Sequence, residues 1–379
     1  MRVLMLNYEF PPLGGGAANA NRYLLAEFAS DPNLEVDLVT SSPSEYREES
    51  FADNVTIYRL DVGKEAIHYW TQPEILRYSW KAYHKSRELE DETDYDLVHA
   101  WFGVPSGVVA RALGLPYVAA LRGSDVPGYN ERFSIQYVAL KPLIRKVWRD
   151  AAAVIANSRG LRELAWETAD VSIDVIPNGV AVDEFEPIYR DRDRLQVLCV
   201  SRLIERKGIR YLIEAAVELD VELMIVGEGN QEEALRHLAR DLGIEDRVTF
   251  TGYVPHDEIH GYYEDTDVFV LPSFNEGMSN TVLEAMAAGL PIVTTDTGGT
   301  AELLDDNGYV VRAGDSHSIA EALSRYVRDG EKLRRHGRNS RAIAETMSWT
   351  NVAEQYRDAY DDVRTRTMAV PAERATRKL

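Results

Sequence analysis

The amino-acid sequence predicts an α/β protein made of two Rossmann-like α/β/α domains that face a central cleft. Short β-rich runs alternate with amphipathic helical patterns, which is typical of a parallel sheet covered by helices on both faces. The alternation occurs twice, on either side of a charged segment that lacks periodicity. At 379 residues with 45% hydrophobic content, the chain is too long for one core and apolar enough to fill two.

The first series of runs predicts a domain over residues 1–182. Its strands are expected at 3–7, 36–40, 55–60, 97–100, 117–121 and 153–157. A turn cluster that includes Asn178 and Gly179 follows. Residues 183–194 are rich in charge, and we interpret them as the linker between the domains.

The second series predicts a domain over residues 195–348. Its strands are expected at 196–201, 221–226, 247–251, 268–271, 291–295 and 309–311. Val352, Tyr356 and Tyr360 then recur at intervals of four, which predicts a final amphipathic helix over about 349–365. Residues 366–379 are polar and are predicted to form a flexible tail.

The charge balance excludes one large class of partner. With 62 acidic against 42 basic residues, the formal charge of −20 argues against nucleic-acid binding, which needs a surplus of cations. Abundant carboxylates and scarce lysine also predict a surface that stays hydrated in strong salt. We therefore expect a halophilic source organism.

The apolar runs and the cysteine content indicate the compartment. No run approaches the roughly 20 residues of a membrane helix. The first run ends at Asn7 without a cleavage site, so we interpret it as a buried strand and not as a secretion signal. Cys199 is the only cysteine and lies inside an apolar run, which predicts a buried thiol in a reducing, cytoplasmic compartment.

A glycine-rich loop follows the first predicted strand. Gly15 and Gly16 precede a helix expected from about residue 17, and glycines there let backbone N–H groups approach an anion. The loop is not the dinucleotide-binding fingerprint, and no acidic residue ends the second strand. A ligand loop and a plain turn are equally compatible with this segment.

A basic loop follows the first strand of the second domain. Arg202 and Lys207 stand at the carboxyl end of that strand, where a planar guanidinium and a compact ammonium can converge on one anion. A diphosphate is the ligand that this pair favours. The alternative is a solvated basic loop.

A third segment combines two carboxylates with the start of a helix. Glu276 lies in the loop after the strand at 268–271, and Glu284 lies on the helix that Ser279 or Asn280 can cap. Carboxylates accept hydrogen bonds from sugar and ribose hydroxyls, and the helix N-terminus favours phosphate. We predict donor contacts from Gly277, Met278, Ser279 and Asn280 as well. The alternative is a capping carboxylate beside a surface glutamate.

Polar residues also follow strands of the first domain. His99, Arg122 and Asp125 stand at strand ends, and we predict an acceptor-side role for them. For His99 the alternative is a packed strand-end histidine. Asp265 and Asp267 fit an Asp-x-Asp metal pattern but precede their strand, at the wrong end of the sheet, so no metal site is predicted.

Taken together, these motifs resemble glycosyltransferase family 4 over nearly the whole chain. The resemblance is carried by the glycine-rich loop, the Asn178-Gly179 turn, Arg202 with Lys207, and Glu276 followed after seven residues by Glu284. It implies the GT-B fold, with the last helix crossing back to an acceptor-binding first domain and with a nucleotide-sugar-binding second domain.

The resemblance also implies the reaction. In that family the Arg and Lys bind the donor diphosphate, the first Glu contacts the donor sugar and the second Glu the ribose. This makes Arg202, Lys207 and Glu276 the expected catalytic residues and Glu284 a donor-binding residue. The expected activity is retaining transfer of a sugar from a nucleotide-sugar to a hydroxyl of a glycan or lipid-linked acceptor. We expect the sugar to be a hexose, and we expect the reaction to need no metal ion and no cofactor.

One position departs from the family pattern. Arg122 stands where many members have a histidine, and an arginine cannot act as a base at neutral pH. Binding of an anion or a sugar is therefore the role that fits Arg122.

Two segments of the first domain run against the acidic balance. Residues 75–87 and 132–149 combine basic with aromatic side chains, which favours contact with an anionic membrane surface at the inner face of the membrane. Ordinary amphipathic helices are the alternative. Two rival functions also stay open: a sugar-nucleotide epimerase of the same fold and a catalytically silent glycosyltransferase-like subunit.

Overall fold

The computed structural model describes residues 1–64, 70–129, 134–190, 192–255 and 258–369, apart from the side chains of 134–136. The chain divides into two compact units. The first unit comprises Met1–Pro177 together with the helix that begins at Trp349, and the second comprises Asn178–Ser348.

The first unit is built around a mainly parallel sheet. Its elements in chain order are β1 (Arg2–Leu6), α1 (Gly16–Ala29), β2 (Glu35–Ser42), β3 (Arg47–Ala52), β4 (Val55–Asp61), α2 (Gln72–Glu92), β5 (Leu97–Trp101), α3 (Ser106–Leu113), β6 (Tyr117–Leu121), α4 (Ser134–Asp150), β7 (Ala153–Ala156), α5 (Arg159–Trp166) and β8 (Asp174–Val175). The strand order is β3-β4-β2-β1-β5-β6-β7-β8. Strands β5 and β6 are buried along their whole length, as expected for parallel strands covered on both faces.

The strands predicted for the first unit are all present, but β3 and the two-residue β8 were missed. Strand β3 pairs antiparallel with β4 at the edge of the sheet. Its sequence, Arg-Glu-Glu-Ser-Phe-Ala, is exposed or half-buried throughout and has no apolar face to reveal it.

The second unit contains a fully parallel sheet. Its elements are β9 (Leu195–Val200), α6 (Ile209–Ala216), β10 (Val221–Val226), α7 (Glu232–Asp241), β11 (Val248–Gly252), α8 (His260–Glu264), β12 (Val268–Leu271), α9 (Asn280–Ala287), β13 (Ile292–Thr295), β14 (Gly308–Val311), α10 (Ser316–Arg328) and α11 (Gly330–Thr346). The order β11-β10-β9-β12-β13-β14 is that of the Rossmann fold. From β9 the chain adds β10 and β11 on one side of the sheet and then β12 to β14 on the other side. Ligands of such sheets bind at this switch point, between the carboxyl ends of β9 and β12.

The last helix, α12 (Trp349–Ala369), belongs to the first unit. Its residues Val352, Tyr356 and Tyr360 are buried, and the helix packs against α1 and β5. The predicted return of the C-terminal helix is therefore confirmed. It extends beyond the expected end at 365, and the rest of the predicted tail, 370–379, lies outside the described residues.

The segment interpreted as a linker packs on the second unit. Val182 and Phe185 are buried in a core cluster of that unit, and the Arg341 guanidinium donates to the carbonyl oxygens of both. Arg190 forms an ion pair with Asp265. The two units therefore divide after Pro177, five residues before the predicted boundary at 182. Val182 and Phe185, which attach this segment to the second unit, do not form a helical or strand-like hydrophobic pattern in the sequence.

Candidate functional site

Arg202, Lys207 and Glu276 follow two neighbouring strands of the second unit. The first two come after β9, and Glu276 comes after β12. These strands pair in parallel, with Val197 opposite Val268, so their carboxyl ends lie at the same edge of the sheet. The three charged residues therefore belong to adjacent loops.

The two loops approach closely because glycine occupies the contact. Gly208 has a φ of +64°, and a Cβ on it would lie 2.2 Å from the carbonyl oxygen of Pro272. The backbone N–H of Phe274 donates to the carbonyl of Arg206 at 2.9 Å. A side chain at position 208 would force these loops apart.

Lys207 and Glu276 form a pair between the loops. The Lys207 ammonium donates to Oε1 of Glu276, which also accepts from the Ser273 hydroxyl at 2.6 Å. The two charged side chains are only 13% and 11% exposed. Arg202 is exposed, and no hydrogen bond or ion pair of its guanidinium is found within the described ranges. The loops thus present one cation bound to a carboxylate and one cation open to solvent.

The loop that carries Glu276 packs against the segment that follows β13. Gly298 has a φ of +50°, and its missing Cβ would lie 1.8 Å from the carbonyl oxygen of Glu276. The Thr300 hydroxyl donates to the carbonyl of Gly277 at 3.0 Å. Sequence reasoning missed Gly298 and Thr300, because only the tertiary contact shows their role.

The start of α9 follows that loop directly. Ser279 occupies the N-cap position but makes no side-chain cap, and its hydroxyl lies 3.1 Å from that of Thr281. Met278 is buried in the core, and Asn280 accepts a hydrogen bond from the Asn178 side chain at 2.9 Å. Met278 and Asn280 therefore have structural contacts of their own.

Glu284 lies on α9 and is half-buried. Its Oε2 accepts a hydrogen bond from the Tyr263 hydroxyl at 2.7 Å. Burial raises the pKa of Glu284 to about 7, against the opposing effect of that hydrogen bond. Sequence reasoning missed Tyr263, whose position before β12 gives no sign that it reaches α9.

The predicted glycine loop begins α1 in the first unit. Gly15 is the N-cap residue and Gly16 the first helical residue, and both are exposed. No side chain caps the helix, and a Cβ on Gly15 would meet nothing within 4 Å. The backbone at Gly15 therefore has open space on the side where a Cβ would stand.

His99 is a packed residue in this structure. It is fully buried at β5, its Nδ1 lies 2.6 Å from the Tyr360 hydroxyl, and its ring stacks on Trp101 and Tyr356. Burial and then the charge of Arg122 lower the pKa of His99 well below its ordinary value of 6.5. This arrangement corresponds to the packed alternative.

Arg122 and Asp125 are engaged with neighbours in the same unit. The Arg122 guanidinium lies 3.7 Å from the ring centre of Trp101 and donates to the Tyr356 hydroxyl at 3.0 Å. Asp125 is buried and accepts from the backbone N–H groups of Gly103 at 2.6 Å and Arg122 at 2.9 Å. Burial raises the pKa of Asp125. Its carboxylate joins the loops that follow β5 and β6.

Asp265 and Asp267 stand at the amino end of β12. Asp265 pairs with Arg190 and Arg192, and Asp267 accepts from the backbone N–H of Gln196 at 2.8 Å. Both carboxylates thus have protein partners at the edge of the sheet opposite to Glu276.

The two basic-aromatic segments correspond to α2 and α4, with residues 132–133 outside the described ranges. Leu76 and Trp80 on α2 are 69% and 64% exposed, and Val138 on α4 is 77% exposed. On α2, Arg77 and Lys81 donate to backbone carbonyls. Within the described ranges, every helix is too short or too polar to cross a bilayer.

Two Rossmann-like units in one chain are typical of the GT-B fold, and cations and carboxylates follow strands of the second unit. Residues 14–184 match the model of Glycosyltransferase Family 4, and residues 183–343 match that of Glycosyl transferases group 1. The chain belongs to glycosyltransferase family 4.

Named relatives agree with that assignment. A GDP-mannose-dependent alpha-(1-6)-phosphatidylinositol monomannoside mannosyltransferase of Mycolicibacterium smegmatis is 31% identical, over 86% of this chain and 89% of the relative. An uncharacterized glycosyltransferase of Methanocaldococcus jannaschii is 27% identical, over 95% of this chain and 98% of the relative. The protein is therefore a glycosyltransferase.

Solved structures with the same fold cover almost the entire chain. Sucrose-phosphate synthase from Thermosynechococcus elongatus superimposes with a TM-score of 0.83 at 21% identity, over 97% of this chain and 100% of that chain. HepE of Anabaena in complex with UDP-glucose superimposes with a TM-score of 0.70 at 20% identity, over 95% and 99%. These likenesses confirm the predicted GT-B fold.

Proposed function

We propose that the protein is a retaining, metal-independent glycosyltransferase that moves a sugar from a nucleotide-sugar to a hydroxyl of a glycan or lipid-linked acceptor. The observation that carries the proposal is that the Lys207–Glu276 pair and the exposed Arg202 follow the carboxyl ends of the neighbouring strands β9 and β12. These groups offer positive charge for a diphosphate and a fixed carboxylate for sugar hydroxyls.

Relatives support a nucleotide-sugar donor. The mycobacterial relative is named as GDP-mannose-dependent, and the HepE structure holds UDP-glucose. In this chain Arg202 and Lys207 would bind the diphosphate, Glu276 the donor sugar and Glu284 the ribose. The uncapped start of α9 adds backbone N–H groups for a phosphate oxygen.

The reaction replaces one bond at the anomeric carbon by another. The bond from that carbon to the diphosphate oxygen breaks, the acceptor hydroxyl oxygen bonds to the carbon on the same face, and the hydroxyl proton passes to the leaving diphosphate. Arg202 and Lys207 would stabilise the charge that grows on the diphosphate. Because these cations supply that stabilisation, we propose that no metal ion or other cofactor takes part.

Exposed apolar groups on the first unit support a membrane-bound acceptor. Leu76, Trp80 and Val138 project from α2 and α4, and Lys141 and Lys146 lie on α4. We therefore propose a cytoplasmic enzyme that rests on anionic lipid. Flotation with anionic liposomes at working salt should recover the wild type but little of the Leu76→Ser/Trp80→Ser variant. Wild type that fails to float would contradict membrane binding.

A donor screen followed by product analysis tests the transferase itself. UDP-glucose and GDP-mannose are screened by thermal shift, and the product anomer is then assigned by NMR. Free nucleotide that appears only with acceptor excludes an epimerase, and turnover excludes a silent subunit. Transfer with an inverted anomer would contradict the retaining mechanism. Unimpaired transfer by both Glu276→Ala and Lys207→Ala would contradict the site.

The acidic surface supports a salt-dependent enzyme. With a charge of −20, repulsion among carboxylates is relieved when salt screens it. Thermal unfolding should occur at a higher temperature in molar salt than in low-salt buffer. An equal melting temperature in both would remove the case for a halophilic protein.

A further inference from the structure

We propose that Tyr263 is a positioning residue that orients Glu284 toward the donor ribose. The inference rests on the proposed ribose contact of Glu284. It adds a residue outside the motifs, on α8, whose contribution to donor binding follows from its contact with α9.

The Tyr263 ring is fixed by its surroundings. It is fully buried and packs edge-on against Phe185, with ring centres 5.6 Å apart, and obliquely against Phe269 at 6.0 Å. A ring held in this way cannot swing to follow a mobile partner. Its hydroxyl, 2.7 Å from Oε2 of Glu284, therefore defines where that carboxylate lies.

The contact leaves one half of the carboxylate for a ligand. Tyr263 occupies Oε2, whereas no hydrogen bond to Oε1 of Glu284 is found from the described part of the chain. Vicinal ribose hydroxyls are paired donors, and a carboxylate with one oxygen anchored presents the other in a fixed direction. Fixing it before binding lowers the entropy cost of binding.

Among the residues that the structure describes, the other groups around Glu284 do not supply this anchor. Glu184, on the chain segment before β9, repels its charge and is itself paired with His260. From α11, Arg341 donates to the backbone carbonyl of Ala287. The packed strands β12 and β13 carry only apolar and threonine side chains. Tyr263 is thus the donor that favours the ionised carboxylate.

This geometry predicts a pH profile. Since burial raises the pKa of Glu284 to about 7, acid converts the carboxylate to a form with one acceptor fewer. Affinity for the donor should therefore fall as pH decreases through 7, by up to about tenfold between pH 8 and pH 6. Removing the Tyr263 hydroxyl removes a hydrogen bond to the ionised form and moves the profile to higher pH.

The experiment measures donor affinity from pH 5.5 to 8.5 by calorimetry for wild type and Tyr263→Phe. The probe is UDP-glucose or GDP-mannose, whichever gives the larger thermal shift, because neither diphosphate diester titrates near neutral pH. We expect the variant to bind roughly fivefold more weakly at pH 7 and within about twofold of wild type at pH 8.5. A merely structural defect would weaken binding equally at every pH.

Two further variants make the test decisive. Tyr326→Phe removes another buried hydroxyl of the second unit, one that contacts His336, and should leave the profile unchanged. Glu284→Gln should bind weakly without pH dependence. If Glu284→Gln binds like wild type, the proposed ribose contact fails. If it weakens binding while Tyr263→Phe keeps the wild-type profile, the positioning role of Tyr263 is overturned.

Discussion

Polar residues follow the central strands in both units of this protein, yet their exposure to solvent differs between the two units. In the second unit, Arg202 is exposed, whereas Lys207 and Glu276 form an ion pair whose side chains are only 13% and 11% exposed. In the first unit, His99 is fully buried, and the Arg122 guanidinium lies over the ring of Trp101. The same pattern in the sequence thus yields a charged site with an exposed arginine in one sheet and a packed cluster in the other.

The difference comes from the C-terminal helix. Tyr356 and Tyr360 on α12 supply the hydroxyls that meet Arg122 and His99. A guanidinium over an indole ring, with a tyrosine hydroxyl beside it, gains stability from both contacts. In the first unit, therefore, a helix from the end of the chain covers the polar groups that follow the strands.

The largest effect is expected at the charged site of the second unit. Lys207→Ala removes a cation from the proposed diphosphate contact and leaves Glu276 without its ion pair, so kcat/KM should fall by about 1000-fold. The measurement is acceptor-dependent nucleotide release. Arg210→Ala, which removes a cation of α6 that pairs with Glu214, serves as the control and should retain activity. A loss below tenfold for Lys207→Ala would place the diphosphate elsewhere.

Two arginine variants test the comparison directly. Arg202→Ala should lower kcat/KM by about 100-fold with an unchanged melting temperature, because its guanidinium is exposed. Arg122→Ala should lose roughly 2–4 kcal/mol of stability through its contacts with Trp101 and Tyr356.

Tryptophan fluorescence reports on the first unit alone during unfolding. Its tryptophans are Trp70, Trp80, Trp101, Trp148, Trp166 and Trp349, and they are all those of the chain. If Arg122→Ala unfolds like wild type by this signal but loses activity, Arg122 contacts a substrate and its packing contacts do not explain its role.

A smaller loss of activity is expected when a side chain added at Gly298 displaces the loop that carries Glu276. Gly298→Ala places a Cβ 1.8 Å from the Glu276 carbonyl in a left-handed conformation, so the loop must shift. We expect a fall of about 30-fold in kcat/KM, since misplacement of a positioned group reduces the rate. Gly330→Ala, where a Cβ meets nothing within 4 Å, is the matched control. Equal activities would show that the loop tolerates the shift.

The smallest effect is a pH dependence in the first unit. Because burial lowers the pKa of His99, the unfolded chain takes up a proton below pH 6.5 that the folded chain does not. Stability should decline as pH falls below 6.5, by at most about 1.4 kcal/mol per pH unit. His99→Gln should flatten the slope seen by tryptophan fluorescence in denaturant, whereas the exposed His237→Gln should not. Parallel slopes for wild type and His99→Gln would contradict a buried neutral imidazole.

Much of the fold could be predicted from the sequence because buried parallel strands have a strong local signature. The run at 117–121, for example, is β6 with those bounds, and the spacing of Tyr356 and Tyr360 predicted α12. The edge strand β3 lacked an apolar face and was missed. In the site, the charged residues were predicted, but Tyr263 was not, since it lies 21 residues before Glu284.

The two Rossmann-like units and the charged residues that follow β9 and β12 could be predicted from the sequence, because strand periodicity and loop chemistry are local properties of the chain. The family followed from the resemblance of the motifs taken together. Which of the strand-end residues stay exposed depends instead on tertiary packing. His99 and Arg122 are covered by α12, whose contacting residues lie more than 200 residues away in the chain. The hydroxyl that donates to the Glu284 carboxylate belongs to Tyr263, on a separate helix. Such contacts arise from packing between distant segments, which local patterns do not encode.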